Sequence, residues 1–336
     1  FKSSTTVMDL EHTQNGNMHG DINYDDGRAR TGNVWTAASH VITAVIGAGV
    51  LSLPWSVAQL GWIMGALILL FFAVVTTYTS VLLADCYRAP DPVTGKRNYK
   101  YPDAVKNILG GRKVLLCKIG QYANLYGAMV GYTLTAAISM MAIKKAACFH
   151  KEGHGSSCSV SGNMFMMTFG AIELILSQLP SLEKISWLSI LAAIMSFAYS
   201  SIGLGLSIAK AAGRKHPSGS LTGVPIGGQV TKLKKSWYIF QALGNMAFSY
   251  TFSLVLIEIQ DTLKSPPPEN KTMRKATLMG MTATTLLYMS IGLVGYAAFG
   301  NSAPGNMLTG FGFYEPFWLI DVGNICIVIH LVGAYQ

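Results

Sequence analysis

The chain has 336 residues, of which 51% are hydrophobic and only 12% are charged, and its formal net charge is +9. A soluble domain has about twice that charged fraction, so the composition excludes an ordinary water-soluble fold. The charges cluster between long apolar runs, and most runs approach or exceed the roughly 20 residues that a helix needs to cross a bilayer. The sequence therefore predicts an all-α membrane protein.

The first 33 residues precede these runs. They are polar, with five acidic and three basic side chains, and they contain no cleavable signal sequence. We expect 1–33 to be a disordered cytosolic tail and 34–336 to be a single transmembrane domain. Backbone amides in lipid must bond within their own segment, so each apolar run must be helical. The eight predicted spans are 34–58, 62–84, 119–143, 163–180, 185–209, 236–260, 276–300 and 316–336.

Span 1 carries Gly47 and Gly49 one residue apart, followed by Pro54. These residues lower helical stability in the middle of a membrane crossing, where freed amides and carbonyls are tolerated only if they line a cavity or meet a ligand. A half-helix beginning after a break at Gly47-Ala48-Gly49 would offer unpaired amides and a positive dipole end to a carboxylate. Close helix packing is the alternative, because Gly and Ala also line helix contacts in membranes.

The distribution of Lys and Arg predicts the orientation. With the N-terminus inside, the cytosolic segments carry 16 of the 25 basic residues and the other side carries nine, which favours a cytosolic N-terminus. The loop 210–235 is the exception, because it places six bases outside. The bases lie in loops without interleaved aromatic residues, so no nucleic-acid partner is indicated.

Span 3 and the loop after it hold two further candidate features. Tyr126, near mid-membrane, belongs to a helically spaced stripe that is typical of either a pocket wall or core packing. Cys148 and Cys158 lie in the loop, which this topology places outside, where a disulfide is permitted; two free thiols are the alternative. Together with His150 and His154 they do not match a standard structural-zinc spacing, so no metal site is predicted.

Span 6 is small and polar at its centre, where lipid would demand Leu and Val. Asn245, Ser249 and Thr251 lie in this stretch, so the helix is predicted to be interrupted here too. Paired interrupted helices in corresponding positions of two halves indicate the substrate site of a secondary transporter. The second break therefore favours a ligand site over simple packing at the first.

Ionisable residues within the spans are candidates for coupling to protons. Histidine titrates near physiological pH, and His40 lies two turns before Gly47, about 10 Å away along the same face; His330 lies in span 8. Either histidine could instead bond to a neighbouring helix. Intramembrane acids also mark ion pathways, which adds Glu173, Glu258 and Asp321, although Glu258 and Asp321 lie near span ends where water could solvate them.

Several stretches together carry a family resemblance. They are Arg30-Thr31-Gly32 with Val34-Trp35-Thr36, Ile46-Gly47-Ala48-Gly49-Val50-Leu51-Ser52-Leu53, Ala58-Gln59-Leu60-Gly61-Trp62, Gly95-Lys96-Arg97-Asn98-Tyr99, Trp187-Leu188-Ser189-Ile190-Leu191-Ala192-Ala193, Leu256-Ile257-Glu258-Ile259-Gln260-Asp261-Thr262, and Gly295-Tyr296-Ala297-Ala298-Phe299-Gly300. With them the chain resembles the plant amino acid permeases of the amino acid/auxin permease family, in the amino acid-polyamine-organocation superfamily.

The resemblance implies an inverted-repeat symporter fold of five plus five helices, with helices 1 and 6 broken. It also implies about eleven spans, so that the chain is truncated after the eighth. The implied activity is proton-coupled import of amino acids across the plasma membrane, with H⁺ as the coupling ion and no cofactor. The positions that it nominates for substrate are Gly47, Ala48 and Gly49 for the α-carboxylate, and Phe248, Ser249 and Tyr250 for the amine and the pocket wall.

A membrane-embedded enzyme and an amino-acid sensor are the two alternatives to a transporter. A membrane-embedded enzyme would need a catalytic set such as a His-Glu-x-x-His helix or paired aspartates in the spans, and neither is present. An amino-acid sensor could use the same site without transport, and auxin or another amino-acid-like substrate is a further alternative. The sequence thus predicts a transporter and no enzyme.

Overall fold

The computed structural model describes residues 30–153, 155–178, 186–213, 218–227, 230–312 and 316–335, with the backbone alone for 186–190. Most of the predicted tail and His154 therefore lie outside the described residues. Within them the chain forms ten α-helices, short 3₁₀ helices and one small hairpin. The elements are α1 Val34–Val45, a 3₁₀ helix Ala48–Ser52, α2 Leu53–Asp85, β1 Arg88–Ala89, β2 Lys96–Arg97, α3 Tyr101–Leu109, α4 Gly111–Glu152, α5 Gly162–Leu176, α6 Ser186–Ala212, α7 Lys232–Ser249, a 3₁₀ helix Ser253–Val255, α8 Leu256–Asp261, α9 Glu269–Phe299, 3₁₀ helices Gly300–Ser302 and Met307–Phe311, and α10 Phe317–Tyr335.

Helix α1 begins at a capping box. The Asn33 side chain accepts hydrogen bonds from the amides of Trp35 and Thr36, and the Thr36 hydroxyl accepts one from the amide of Asn33, so otherwise unpaired amides of the first turn are satisfied. The helix ends at Val45 because Gly47 is extended, with φ −113° and ψ −167°. Helical structure then resumes at Ala48.

Gly61 separates the regions predicted as spans 1 and 2. It adopts φ +84° inside α2, a conformation that favours glycine. A Cβ atom at Gly61 would lie 2.6 Å from the carbonyl carbon of Leu221, because the loop 218–224 passes against the helix at this point. The kink therefore marks both a change of direction and the docking of a loop.

Six helical stretches among the described residues are long and apolar enough to cross a membrane. Their bounds all differ from those of the predicted spans, and the predicted spans 34–58 and 163–180 have no separate counterpart among them. Helix α4 has 42 residues and outlasts the predicted 119–143, because residues such as Lys and Glu at its ends are good helix formers whether or not lipid surrounds them. The shorter apolar helices are α1 and α5. The six stretches are Ala48–Asp85, Gly111–Glu152, Leu191–Ala212, Lys232–Asp261, Glu269–Ser302 and Phe317–Tyr335.

Helix α9 lies at the centre of the packing and contacts α1, α2 and α6. Small residues allow the close approach: a Cβ atom at Gly280 would lie 3.0 Å from Cβ of Val41, and one at Gly292 would lie 3.3 Å from side-chain atoms of Leu69 and Val57. Membrane helices commonly pack through such small residues. Helix α10 packs on α4 and α6, and α7 packs on α2 and on the 3₁₀ helix 48–52.

Candidate functional site

The second helix break lies at the end of α7. The helix ends at Ser249, residues 250–252 are not helical, and helical structure resumes in the 3₁₀ helix at Ser253. A tight turn closes the end, with the amide of Thr251 donating to the carbonyl of Phe248 at 3.0 Å. The interruption thus falls within the polar stretch from which it was predicted.

The two breaks lie against each other. A Cβ atom at Gly49 would lie 3.2 Å from Cα of Ser249, whereas one at Gly47 would have no heavy atom within 4 Å. Gly49 therefore permits close packing of the first break on the second, and Gly47 faces open space. Helix packing therefore accounts for Gly49, whereas the ligand site at Gly47 stays a prediction.

Tyr288 on α9 connects the two breaks. Its hydroxyl lies 2.6 Å from the carbonyl oxygen of Val45 and 3.1 Å from that of Ser249, the last residues of α1 and α7. The side chain is fully buried, and its ring packs on that of Tyr250 with 5.1 Å between centroids. The carbonyls at both helix ends consequently share one donor.

A cavity of about 410 Å³ opens at the junction of the breaks; we refer to it as the break cavity. Its size lies within the range of small-molecule sites. Helices α4, α6 and α10 complete its wall. Five of the seven predicted substrate-binding residues line it, namely Gly47, Ala48, Gly49, Phe248 and Ser249.

A second cavity of about 770 Å³ adjoins the first and also borders Asn245 and Asn306; we refer to it as the adjoining cavity. Phe248 is 38% exposed and contacts both spaces. This phenyl ring therefore stands at the boundary between them. The other residues that line both cavities are Ala48, Gly49, Asn124, Ala128 and Tyr132.

The structure corrects the placement of two predicted pocket residues. Tyr126 lines neither cavity and is 68% exposed on the outer surface of α4. The face of α4 that meets the breaks carries Ala128 and Tyr132. Tyr250 is fully buried behind the cavity wall against Tyr288. Small residues recurring in α4, such as Gly127 and Gly131, were the signal for the correct face.

His330 lines the break cavity from α10 and is 2% exposed. Its Nδ1 lies 3.0 Å from the carbonyl oxygen of Ala192 and 2.7 Å from Oγ of Ser196. A carbonyl can only accept, so the bond to Ala192 requires that Nδ1 carries a proton and donates it. Nε2 has no hydrogen-bond partner among the described residues, which leaves this nitrogen available to a further proton.

His40 and Glu258 lie together elsewhere. Both line a cavity of about 960 Å³ that also borders Asp103 and Lys100; we refer to it as the charged cavity. His40 is exposed there and does not line the break cavity, because it lies two helical turns, about 10 Å, before Gly47. Asp321 is half-buried near the start of α10 and lines none of the three cavities.

An ion pair joins the segment before α1 to the end of α8. The Arg30 guanidinium lies 2.9 Å from Oδ1 of Asp261, and the Tyr87 hydroxyl donates to the same oxygen at 2.6 Å. Burial, together with the bond to this carboxylate, raises the pKa of Tyr87, so the phenol remains a donor. Two backbone bonds, between Gly32 and residues 262 and 264, reinforce the connection.

Cys148 and Cys158 form a disulfide in the structure. It links the end of α4 to the segment before α5. Glu152 lies close to both sulfurs, but bonded sulfurs do not provide the thiolates that a metal ion requires. The disulfide-bonded sulfurs of this cluster are therefore not metal ligands.

Residues 30–336 match the family described as transmembrane amino acid transporter protein. The chain belongs to this family. It is 60% identical over 318 residues to amino acid permease 6 of Arabidopsis thaliana and 58% identical over 313 residues to amino acid permease 8 of the same plant.

These alignments cover 94% and 93% of the chain and 66% of each permease, so the chain spans just under two thirds of these relatives. A more distant relative is lysine histidine transporter-like 1 of Arabidopsis thaliana, 31% identical over 92% of the chain and 65% of its own length. The resemblance to plant amino acid permeases is confirmed, and the relatives are named as permeases rather than enzymes.

Proposed function

We propose that the protein is a proton-coupled symporter that imports amino acids across the plasma membrane. The observation that carries this proposal is the meeting of two interrupted helices at one cavity within the membrane domain. Broken helices that meet in this way form the substrate sites of many secondary transporters. Membership of the transporter family and the names of the relatives support an amino acid as the substrate.

The proposed substrate carboxylate binds at Gly47, Ala48 and Gly49. The first amides of the helix that starts at Ala48 have no acceptor within that helix, and the N-terminal end of a helix attracts negative charge. Gly47 leaves open space beside them. The amine binds on the opposite side of the break cavity, near Phe248 and Ser249, where a helix ends and its carbonyl end attracts positive charge.

The proposed proton site is His330 in preference to His40. His330 lines the same cavity as the proposed substrate site, whereas His40 shares the charged cavity with Glu258. Protonation of His330 would add a positive charge beside the break cavity. Because this charge changes the affinity for a charged substrate, proton binding and substrate binding are coupled. Asp321 lines neither cavity and is a weaker candidate than His330.

We further propose the inverted-repeat fold of five plus five helices and a cytosolic N-terminus. Support for the repeat comes from the equivalent breaks in the first and sixth predicted spans, and support for the orientation comes from the excess of Lys and Arg in one set of loops. Asn270-Lys271-Thr272 matches the sequence required for N-glycosylation. The proposed orientation places Asn270 in the cytosol, so a glycan on this residue would contradict the orientation.

Electrical recording tests the proposed function. The full-length protein is expressed in oocytes, and amino-acid-evoked currents are measured at about pH 5.5 and about pH 7.5, with and without sodium. We expect inward currents that are larger at the lower pH and independent of sodium. Currents that follow sodium and ignore pH would refute proton coupling, and surface-expressed protein without any current would favour the sensor.

The same recordings separate the two histidines. His330→Gln is expected to flatten the ratio of currents between the two pH values more strongly than His40→Gln, with equal surface expression of both variants. A larger effect of His40→Gln would move the coupling site to the charged cavity.

A further inference from the structure

Tyr288 is a buried residue of α9 that has no role in the proposed function. Helices α1 and α7 end in mid-membrane, and the last carbonyls of a helix have no partner within it. Such groups are costly away from water, and the Val45 carbonyl meets part of this need by accepting from the amide of Gly47 at 2.8 Å. The Tyr288 hydroxyl reaches the two terminal carbonyls, of Val45 and Ser249, from the middle of α9.

A single hydroxyl proton serves two acceptors. The oxygen–oxygen distances are 2.6 Å to Val45 and 3.1 Å to Ser249, and a phenol has one O–H donor. The Val45 carbonyl therefore accepts the stronger hydrogen bond, and the Ser249 carbonyl lies close enough to accept the same proton. Any motion that separates the two helix ends must break at least one of these contacts.

We propose that Tyr288 is a positioning residue that ties the two helix breaks together and thereby sets the shape of the substrate site. In other secondary transporters the freed carbonyls of broken helices hold the coupling ion; here a side chain of the protein itself bridges the corresponding ends. Only the identification of the substrate as an amino acid rests on the proposed function. The tie itself rests on the two hydrogen-bond distances and on complete burial.

A matched pair of variants tests the tie. Tyr288→Phe removes the bridging hydroxyl, and Tyr296→Phe removes another buried hydroxyl of α9, which bonds to Ser220 and Asn301 away from the breaks. We expect hydrogen exchange of the purified full-length protein to quicken about tenfold at 45–50 and 249–255 in Tyr288→Phe alone. Unchanged exchange at both breaks, or an equal change in the two variants, would overturn the proposal.

Transport measurements test the consequence for the site. Tyr288→Phe should raise the apparent KM for amino acid about tenfold at equal surface expression, and Tyr296→Phe should leave it unchanged. An unaltered KM in Tyr288→Phe would show that the tie does not shape the site. Absence of flux in the unmodified protein would instead refute the proposed function, and the exchange experiment would still decide the role of Tyr288.

A second replacement covers the case in which Tyr288→Phe does not fold. Incorporating 3-fluorotyrosine at position 288 keeps the ring and makes the hydroxyl a stronger donor, so exchange at both breaks should slow. Exchange at the unmodified rate would contradict the tie.

Discussion

At the scale of single residues, the two glycines of the first break have different surroundings. Gly49 has no room for a side chain, since a Cβ atom there would press on the backbone of Ser249. Gly47 has an extended backbone that any residue can adopt, and its missing side chain leaves cavity volume. Sequence alone offered ligand binding and helix packing as alternatives; the three-dimensional arrangement assigns packing to Gly49 and leaves ligand binding at Gly47 as a proposal.

Alanine substitutions should separate these functions. Gly47→Ala is expected to leave the folded yield unchanged and to raise the apparent KM about tenfold, because its methyl group enters the proposed carboxylate site. Gly49→Ala is expected to lower the yield, because overpacking of this kind costs about 1–3 kcal/mol. Size-exclusion chromatography measures the folded yield and uptake measures KM. An equal loss of folded protein in both variants would contradict the assignment.

At the scale of elements, sequence periodicity located most helices but not their facing surfaces. Gly47 and Ser249 lie at the observed breaks because glycine and small polar residues weaken a helix wherever they occur. The exposed position of Tyr126 could not be predicted from its own stripe, because an apolar stripe in lipid can face either outward or inward; the signal lay in the small residues Gly127 and Gly131. Tyr288 was missed because a tyrosine within an apolar span gives no indication of what its hydroxyl reaches.

The connection between α1 and α8 was also beyond prediction from sequence, since Arg30 and Asp261 are 231 residues apart. The contribution of this ion pair to stability can be compared with that of the ion pair between Arg274 and Asp85. Arg30 is 1% exposed in its ion pair, whereas Arg274, paired with Asp85, is 45% exposed. Exposed pairs contribute little to stability, but removal of one partner from a buried pair leaves an uncompensated charge.

We therefore expect Arg30→Gln to destabilise the protein by about 3 kcal/mol or more and Arg274→Gln by less than about 1 kcal/mol. Thermal unfolding of the purified full-length variants, followed by tryptophan fluorescence, measures the difference. Equal melting temperatures for the two variants would show that the buried pair does not hold α1 to α8.

At the scale of the whole molecule, the two interrupted segments are held together at two levels. Tyr288 joins their inner ends, and the pair of Arg30 with Asp261 joins the outer ends of α1 and α8. The break cavity lies at the inner junction, with the adjoining cavity on one side and the charged cavity near the outer ends. This arrangement places a cavity at the junction of two segments whose separation would break a few identified contacts.

The most direct test of the central claim, that the junction of the breaks is the amino-acid site, is protection of a cysteine from modification. Ala44→Cys lies in the break cavity, and Lys100→Cys lies in the charged cavity; both are made in full-length protein whose free cysteines are replaced by serine. Saturating amino acid should slow thiol modification at position 44 and leave position 100 unaffected. Modification of Ala44→Cys at an unchanged rate would contradict the claim.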